Sequence, residues 1–125
     1  MTNPSDFKYH PTHTWLSIDA DGVYTVGITA HAQEQLGDVV YVQAPEIGST
    51  VKQGEACGVI ESVKTAADIH APASGVVVAI NPSLADAPEM VNTDPYVAWL
   101  FRMTLSDASE LTALLDAAAY EKALG

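Results

Sequence analysis

Apolar residues fall along this chain in short runs broken by Gly, Pro and Asp. Trp15 to Ile18 and Val23 to Ile28 are two such runs, and their length and strand-forming content predict β-strands. Between them, Asp19-Ala20-Asp21-Gly22 ends in the Asp-Gly pair of a tight hairpin. Thr29 is placed to cap a short helix over Ala30 to Leu36, which Gly37 would stop. Val39-Val40-Tyr41-Val42 is again rich in strand formers, and Pro45 and Gly48 then break the chain. Val59-Ile60, Ile69 and Val76 to Ile80 predict further strand segments, with Pro72 and Gly75 separating the last two. After Asn81-Pro82 the pattern changes: Leu84 to Met90 suggests a short helical turn, Pro95 punctuates, and Trp99 to Leu105 alternates like a strand. Ser106 to Leu124 predicts a helix. Asp107 and Glu110 resemble a capping arrangement, and Leu111, Leu114 and Leu115 share one face at i, i+3, i+4. That face would pack on the sheet or dock a partner. Several short strands joined by Gly and Pro turns point to a sandwich or flattened barrel.

One internal similarity stands out. Ala44-Pro45-x-x-Gly48 recurs as Ala71-Pro72-x-x-Gly75, and each copy lies between two strand segments. Two copies are too few for a solenoid; they mark either two related halves of a quasi-symmetric sheet or a coincidence.

The length, 125 residues, suits a single domain over 1–125, with a core at about 8–105 and a helical segment at about 106–124. No apolar run approaches a bilayer span, and the polar Met1 to Tyr9 lacks the order of a secretory signal, so the expected location is cytoplasmic. The formal charge of −11 argues against nucleic acid and anionic membrane as partners. It permits steering toward basic patches on other proteins, or serves solubility alone. It also leaves only Lys8, Lys52, Lys64 and Lys122 for amine chemistry.

Candidate chemistry is sparse. Cys57 is the only cysteine, which excludes an internal disulfide and a multi-thiolate zinc site; within Ala56 to Ile60 it reads as a small buried hydrophobe. His10, His13, His31 and His70 follow no recurrent metal spacing and read as surface or capping residues. There is no Gly-rich phosphate loop and no G-x-S-x-G, so no catalytic residue and no metal site is assigned. Lys64 differs by position. It falls between the strand segments Gly58 to Ile60 and Ile69, where an all-β domain is expected to bend and expose it. Local turn chemistry does not mark the bend, since Val63 is β-branched and no Gly or Asn adjoins Lys64.

The run from Glu61-Ser62-Val63-Lys64-Thr65 through Ala71-Pro72 closely resembles the lipoylation segment of the glycine cleavage system H-protein family. Val26-Gly27-Ile28-Thr29 with His31-Ala32-Gln33, then Leu36 to Val42, then Pro45-Glu46-Ile47-Gly48, are similar to the family's earlier motifs. Pro88 to Asn92 and Asp94-Pro95-Tyr96 match later ones. The resemblance runs from about Lys8 to Tyr120. It implies a mainly β barrel-sandwich hybrid of the lipoyl/biotinyl hammerhead type, with short flanking helices and a C-terminal helix. It implies lipoate in amide linkage to Lys64, with Glu61, Ser62 and Val63 recognised by a lipoyl-attachment enzyme. The implied role is a swinging arm, not an enzyme. The arm would receive the aminomethyl group of glycine at the pyridoxal-phosphate P-protein and surrender the one-carbon unit at the T-protein, and the L-protein, dihydrolipoamide dehydrogenase, would reoxidise it.

The resemblance also implies a cleft that shelters the loaded arm, to which Thr12, Thr14 and Asp68 would contribute. Two departures are visible. Thr14 in Thr12-His13-Thr14-Trp15 stands where the family's Ser-His-Glu-Trp run has a carboxylate. Tyr96-Val97-Ala98-Trp99 is one residue shorter than the family's glycine-containing linker. A biotin carrier domain is a rival, but its lysine is normally flanked by Met. A 2-oxoacid dehydrogenase lipoyl domain usually has Asp before the lysine. An H-protein-like interaction module, or a lipoyl donor to other enzymes, is the alternative of a different class.

Overall fold

Two antiparallel sheets carry the chain in a computed structural model that describes residues 3–18 and 22–124. Asp19 to Asp21 of the expected hairpin lie outside the described residues. Its flanking strands β2 (Thr14–Ile18) and β3 (Val23–Ile28) do pair, from Thr14 opposite Ile28 to Ile18 opposite Tyr24. With β1 (Lys8–His10), β5 (Thr50–Val51), β8 (Gly75–Ile80) and β9 (Phe101–Leu105) they form a six-stranded sheet in the order β1-β2-β3-β9-β8-β5. The second sheet has three strands, β4 (Val39–Gln43), β6 (Ala56–Ser62) and β7 (Ala66–His70), in the order β4-β6-β7. The mainly β sandwich expected from the sequence is the fold observed. Strands of two or three residues, β1 and β5, carry no readable periodicity and were not foreseen.

The main core lies between the sheets, where Val26, Ile60, Ile69, Val77, Phe101 and Met103 are buried. Close approach is needed at Gly27, Gly58 and Gly75; a Cβ on Gly27, for one, would overlap the buried indole of Trp15, its cross-strand neighbour. Helix α1 (Ala30–Leu36) begins and ends as its sequence dictates. The Thr29 hydroxyl accepts from the Ala32 amide at 3.3 Å, and Gly37 at φ +77° closes the helix.

The repeat is structural. Its 27-residue offset, from Ala44 to Ala71, carries Val39–Gln43 onto Ala66–His70, the two outer strands of the small sheet. The copies meet antiparallel: Val51 pairs with Gly75, and the Gly48 amide reaches the Val77 carbonyl at 2.7 Å. Each glycine therefore lies against the other copy's strand, as around a local dyad.

Two helical readings need correction. Leu84 to Met90 is not one turn but α2 (Ser83–Asp86) and α3 (Met90–Thr93); Pro88 between them cannot supply a helical amide. Ser106 to Leu124 is not one helix either. It is a 3₁₀ helix (Ala108–Ala113), an extended break at Leu114, and α4 (Ala117–Ala123). Leu115 bridges to Tyr9 through mutual backbone bonds of 2.8 Å, an edge pairing that outweighs helix continuation. The three leucines therefore do not share a helical face: Leu111 and Leu114 pack toward Leu16, and Leu115 toward Tyr9 and Trp15. Nor is the capping box reciprocal. Asp107 caps the Ser109 amide, while the Glu110 carboxylate binds the Ser74 amide at 2.7 Å and hydroxyl at 2.9 Å. No helix among the described residues is long and apolar enough to cross a membrane.

Candidate functional site

Lys64 sits at the exposed tip of the hairpin joining β6 and β7. The turn is made by Ser62. Its amide donates to the Thr65 carbonyl at 2.7 Å, and its hydroxyl accepts from the Thr65 amide at 3.1 Å and the Lys64 amide at 3.4 Å. A serine opening a turn in this way needs neither Gly nor Asn beside the lysine. Glu61 ends the paired part of β6 opposite Ala66, and the exposed Val63 is tied to the Asp38 carbonyl by its amide at 3.0 Å. The Lys64 stem lies across Gly37, with Cε 3.4 Å from where a Cβ on that glycine would stand. Asn92 braces this floor: its side chain donates to the Gly37 carbonyl at 2.7 Å and accepts from the Val39 amide at 2.8 Å.

Beside the hairpin opens a cleft of about 460 Å³. Its lining includes Thr65, Ala66, Ala67 and Asp68, which follow Lys64 in the chain, the apolar Ile28, Leu36 and Ile60, and Pro11 to Thr14. All three cleft candidates named from the resemblance, Thr12, Thr14 and Asp68, thus line one space, whose lining also includes Thr65, next in sequence to the lysine. The β1–β2 loop places two of them. Pro11, Thr12 and His13 form a three-residue hairpin loop in which His13 takes φ +72° and its amide donates to the His10 carbonyl at 2.9 Å. The imidazole of His10 holds Thr12, its Nδ1 lying 2.6 Å from the Thr12 hydroxyl. Thr14 is 1% exposed, and its Oγ1 has no hydrogen-bond partner among the described residues.

Sequence reasoning missed the two cleft histidines, His13 and His70. His13 Nδ1 is 2.6 Å from the Tyr120 hydroxyl, which is 2.8 Å from the Thr29 hydroxyl, so the network joins the cleft to α4 and to the cap of α1. The His13 ring lies 4.6 Å from that of His31. Burial, with help from His31, lowers the pKa of His13; burial and His70 lower that of His10. His10 does act as a local cap, but His13 is not a plain surface residue. Only its capacity for the left-handed region hints at this from sequence. No cluster of three or more His, Cys, Asp or Glu among the described residues could hold a metal ion. Cys57 is half-buried, and burial pushes its thiol up to about 11.

The glycine cleavage H-protein family model matches residues 7–125 of this chain. The chain belongs to the glycine cleavage H-protein family. It is 57% identical to the glycine cleavage system H protein of Salmonella paratyphi B over 99% of this chain and 98% of that protein. The Escherichia coli protein of the same name is also 57% identical, with the same coverage. Among solved structures, the glycine cleavage system H protein from Mycobacterium marinum superposes with a TM-score of 0.87 at 44% identity, covering 96% of this chain and 97% of that one. Asn92, the last residue of the Pro88 to Asn92 run, pins the loop under the lysine. The Tyr96 to Trp99 linker closes through two hydrogen bonds. The Asp94 carboxylate accepts from the Tyr96 amide at 2.9 Å, and the Pro95 carbonyl accepts from the Trp15 indole at 3.1 Å.

Proposed function

We propose that this chain carries lipoate in amide linkage on Lys64. In the cytoplasm, it would move the aminomethyl unit of glycine from the P-protein to the T-protein, with the L-protein restoring the arm by reoxidation. The observation that carries this reading is an exposed amine at a hairpin tip beside a cleft lined by both apolar and polar side chains. The residues suit the group. Ile28, Leu36 and Ile60 match an aliphatic chain, and Asp68 offers an exposed carboxylate. A volume of about 460 Å³ lies within the range of about 300–1,000 Å³ usual for ligand sites.

Lipoate would supply the redox and group-carrying chemistry, so the chain itself needs no catalytic residue. The protein's part is presentation and shelter. Ser62 fixes the tip, Gly37 leaves room beneath the lysine stem, and tethering raises the local concentration of the arm at each partner. Amide formation removes one positive charge from a chain already at −11. A cationic amine held in the cleft would meet Asp68 but not the second carboxylate that Glu at position 14 would provide.

Intact mass after incubation with lipoate, ATP and a lipoyl-attachment enzyme tests the anchor. Wild type gains one lipoyl group and Lys64→Arg gains none; a gain that persists in the variant overturns the assignment. Glycine–bicarbonate exchange with purified P-protein tests the role. Full lipoylation without exchange would favour an interaction module instead. For the cleft, ammonia release from the loaded protein is expected to be slower in Thr14→Glu than in wild type, and equal rates remove Thr14 from the account.

A further inference from the structure

We propose that the outer face of β4 beside Lys64 is the docking surface for the enzyme that acylates this lysine. That enzyme would meet it with an apolar patch ringed by Arg or Lys. The inference rests on the lipoyl reading above. Three large apolar side chains stand in water beside the lysine: Val63 at 71% exposure, Val40 at 53% and Tyr41 at 48%. The bulge in β4 makes this patch. The register shifts between Val39 and Tyr41, so Val40 is inserted against β6, and both Val40 and Tyr41 turn outward. Without the extra residue, strict alternation would turn one of them into the core. Val63 is held beside them by the hydrogen bond its amide donates to the Asp38 carbonyl. The margin is acidic: Asp38 and Glu61 are exposed, and Glu61 lies opposite Tyr41. Within residues 36–43 and 59–68, Lys64 is the only Lys or Arg.

Geometry selects the acylating enzyme over enzymes that use the finished arm. Acylation needs Nζ itself: the amine attacks the carbonyl of the ATP-activated lipoyl adenylate, the C–N bond forms, AMP leaves with the electron pair, and the amine loses a proton. The enzyme's active site must therefore reach the hairpin tip. The Lys64 stem lies along Gly37, at the root of β4, so that footprint covers Asp38, Val40 and Tyr41. An enzyme working at the far end of the arm has no such obligation. Apolar contact would supply affinity, and the acidic margin would steer and orient a cationic rim.

The double variant Val40→Thr/Tyr41→Thr tests this, because both positions are exposed and threonine keeps strand preference. With a purified lipoyl-attachment enzyme, kcat/KM for acylation is expected to fall about tenfold, carried by KM. The thermal midpoint should hold. Once loaded at high enzyme concentration, the variant should still be reoxidised by dihydrolipoamide dehydrogenase at the wild-type rate. Asp38→Asn should reduce the salt dependence of acylation. Acylation at the wild-type rate overturns the proposal. So does unchanged acylation with impaired turnover at the P- or T-protein, which would assign the patch to an arm-using partner. If wild type itself acquires no lipoyl group, the parent reading fails, a result distinct from either.

Discussion

Thr14 is the residue at which stability and function pull apart most visibly. Its hydroxyl is buried with no partner among the described residues, a condition that costs about 1–3 kcal/mol. Valine has nearly the same shape and no hydroxyl. Thr14→Val is therefore expected to stabilise the unloaded protein by about 1 kcal/mol, visible as a higher thermal midpoint. A lower midpoint would mean that the hydroxyl already has a partner in solution. Ser62 shows the opposite economy: one hydroxyl and one amide close a turn that no glycine marks. That is why the bend at Lys64 was poorly legible from local turn rules, although its place between two strands was clear.

At the scale of elements, legibility followed periodicity. The strands around Trp15 to Ile28, Val39 to Val42 and Val76 to Ile80 were readable because alternation and β-branching extend over four or more residues. The C-terminal segment was not, because its leucine spacing satisfies a helix template while Leu115 is claimed by Tyr9 from the far end of the chain. Nothing local announces such an edge pairing. The cleft was legible only in part: Thr12, Thr14 and Asp68 came from family resemblance, whereas His13 and His70 arrive through the loop and register that the fold imposes. Glu110 is the tie that holds the 3₁₀ helix to the strand-entry residue Ser74. Since the contact is half-exposed, Glu110→Gln should cost about 1 kcal/mol and raise amide exchange over residues 108–113, leaving Lys64 acylation unchanged. Unaltered exchange there would show that the carboxylate does not hold the segment.

For the molecule as a whole, the two lowered histidines set a pH dependence. The ordinary histidine value is 6.5, and both His10 and His13 bind protons less readily folded than unfolded. Their contribution is fully present above about pH 6.5. As the pH falls below that value, the unfolded chain takes up protons first and stability declines. Thermal midpoints should therefore drop on acidification from pH 7 toward 5, before most carboxylates titrate. His13→Asn keeps a side chain suited to the left-handed backbone and should flatten that drop. An equally steep profile would place the dependence elsewhere.

The dyad has a consequence for stoichiometry. The same offset that carries β4 onto β7 carries Gly37 onto Lys64, so the two bends are counterparts, yet only one bears an amine. The Gly37 backbone, at φ +77° and ψ −146°, is a conformation reserved almost entirely for glycine. A lysine could not occupy it without rebuilding the bend. Backbone conformation breaks the symmetry: the chain at Gly37 leaves helix α1 and forms the bed on which the Lys64 side chain rests. Of the two counterpart positions, the backbone thus admits a lysine at only one.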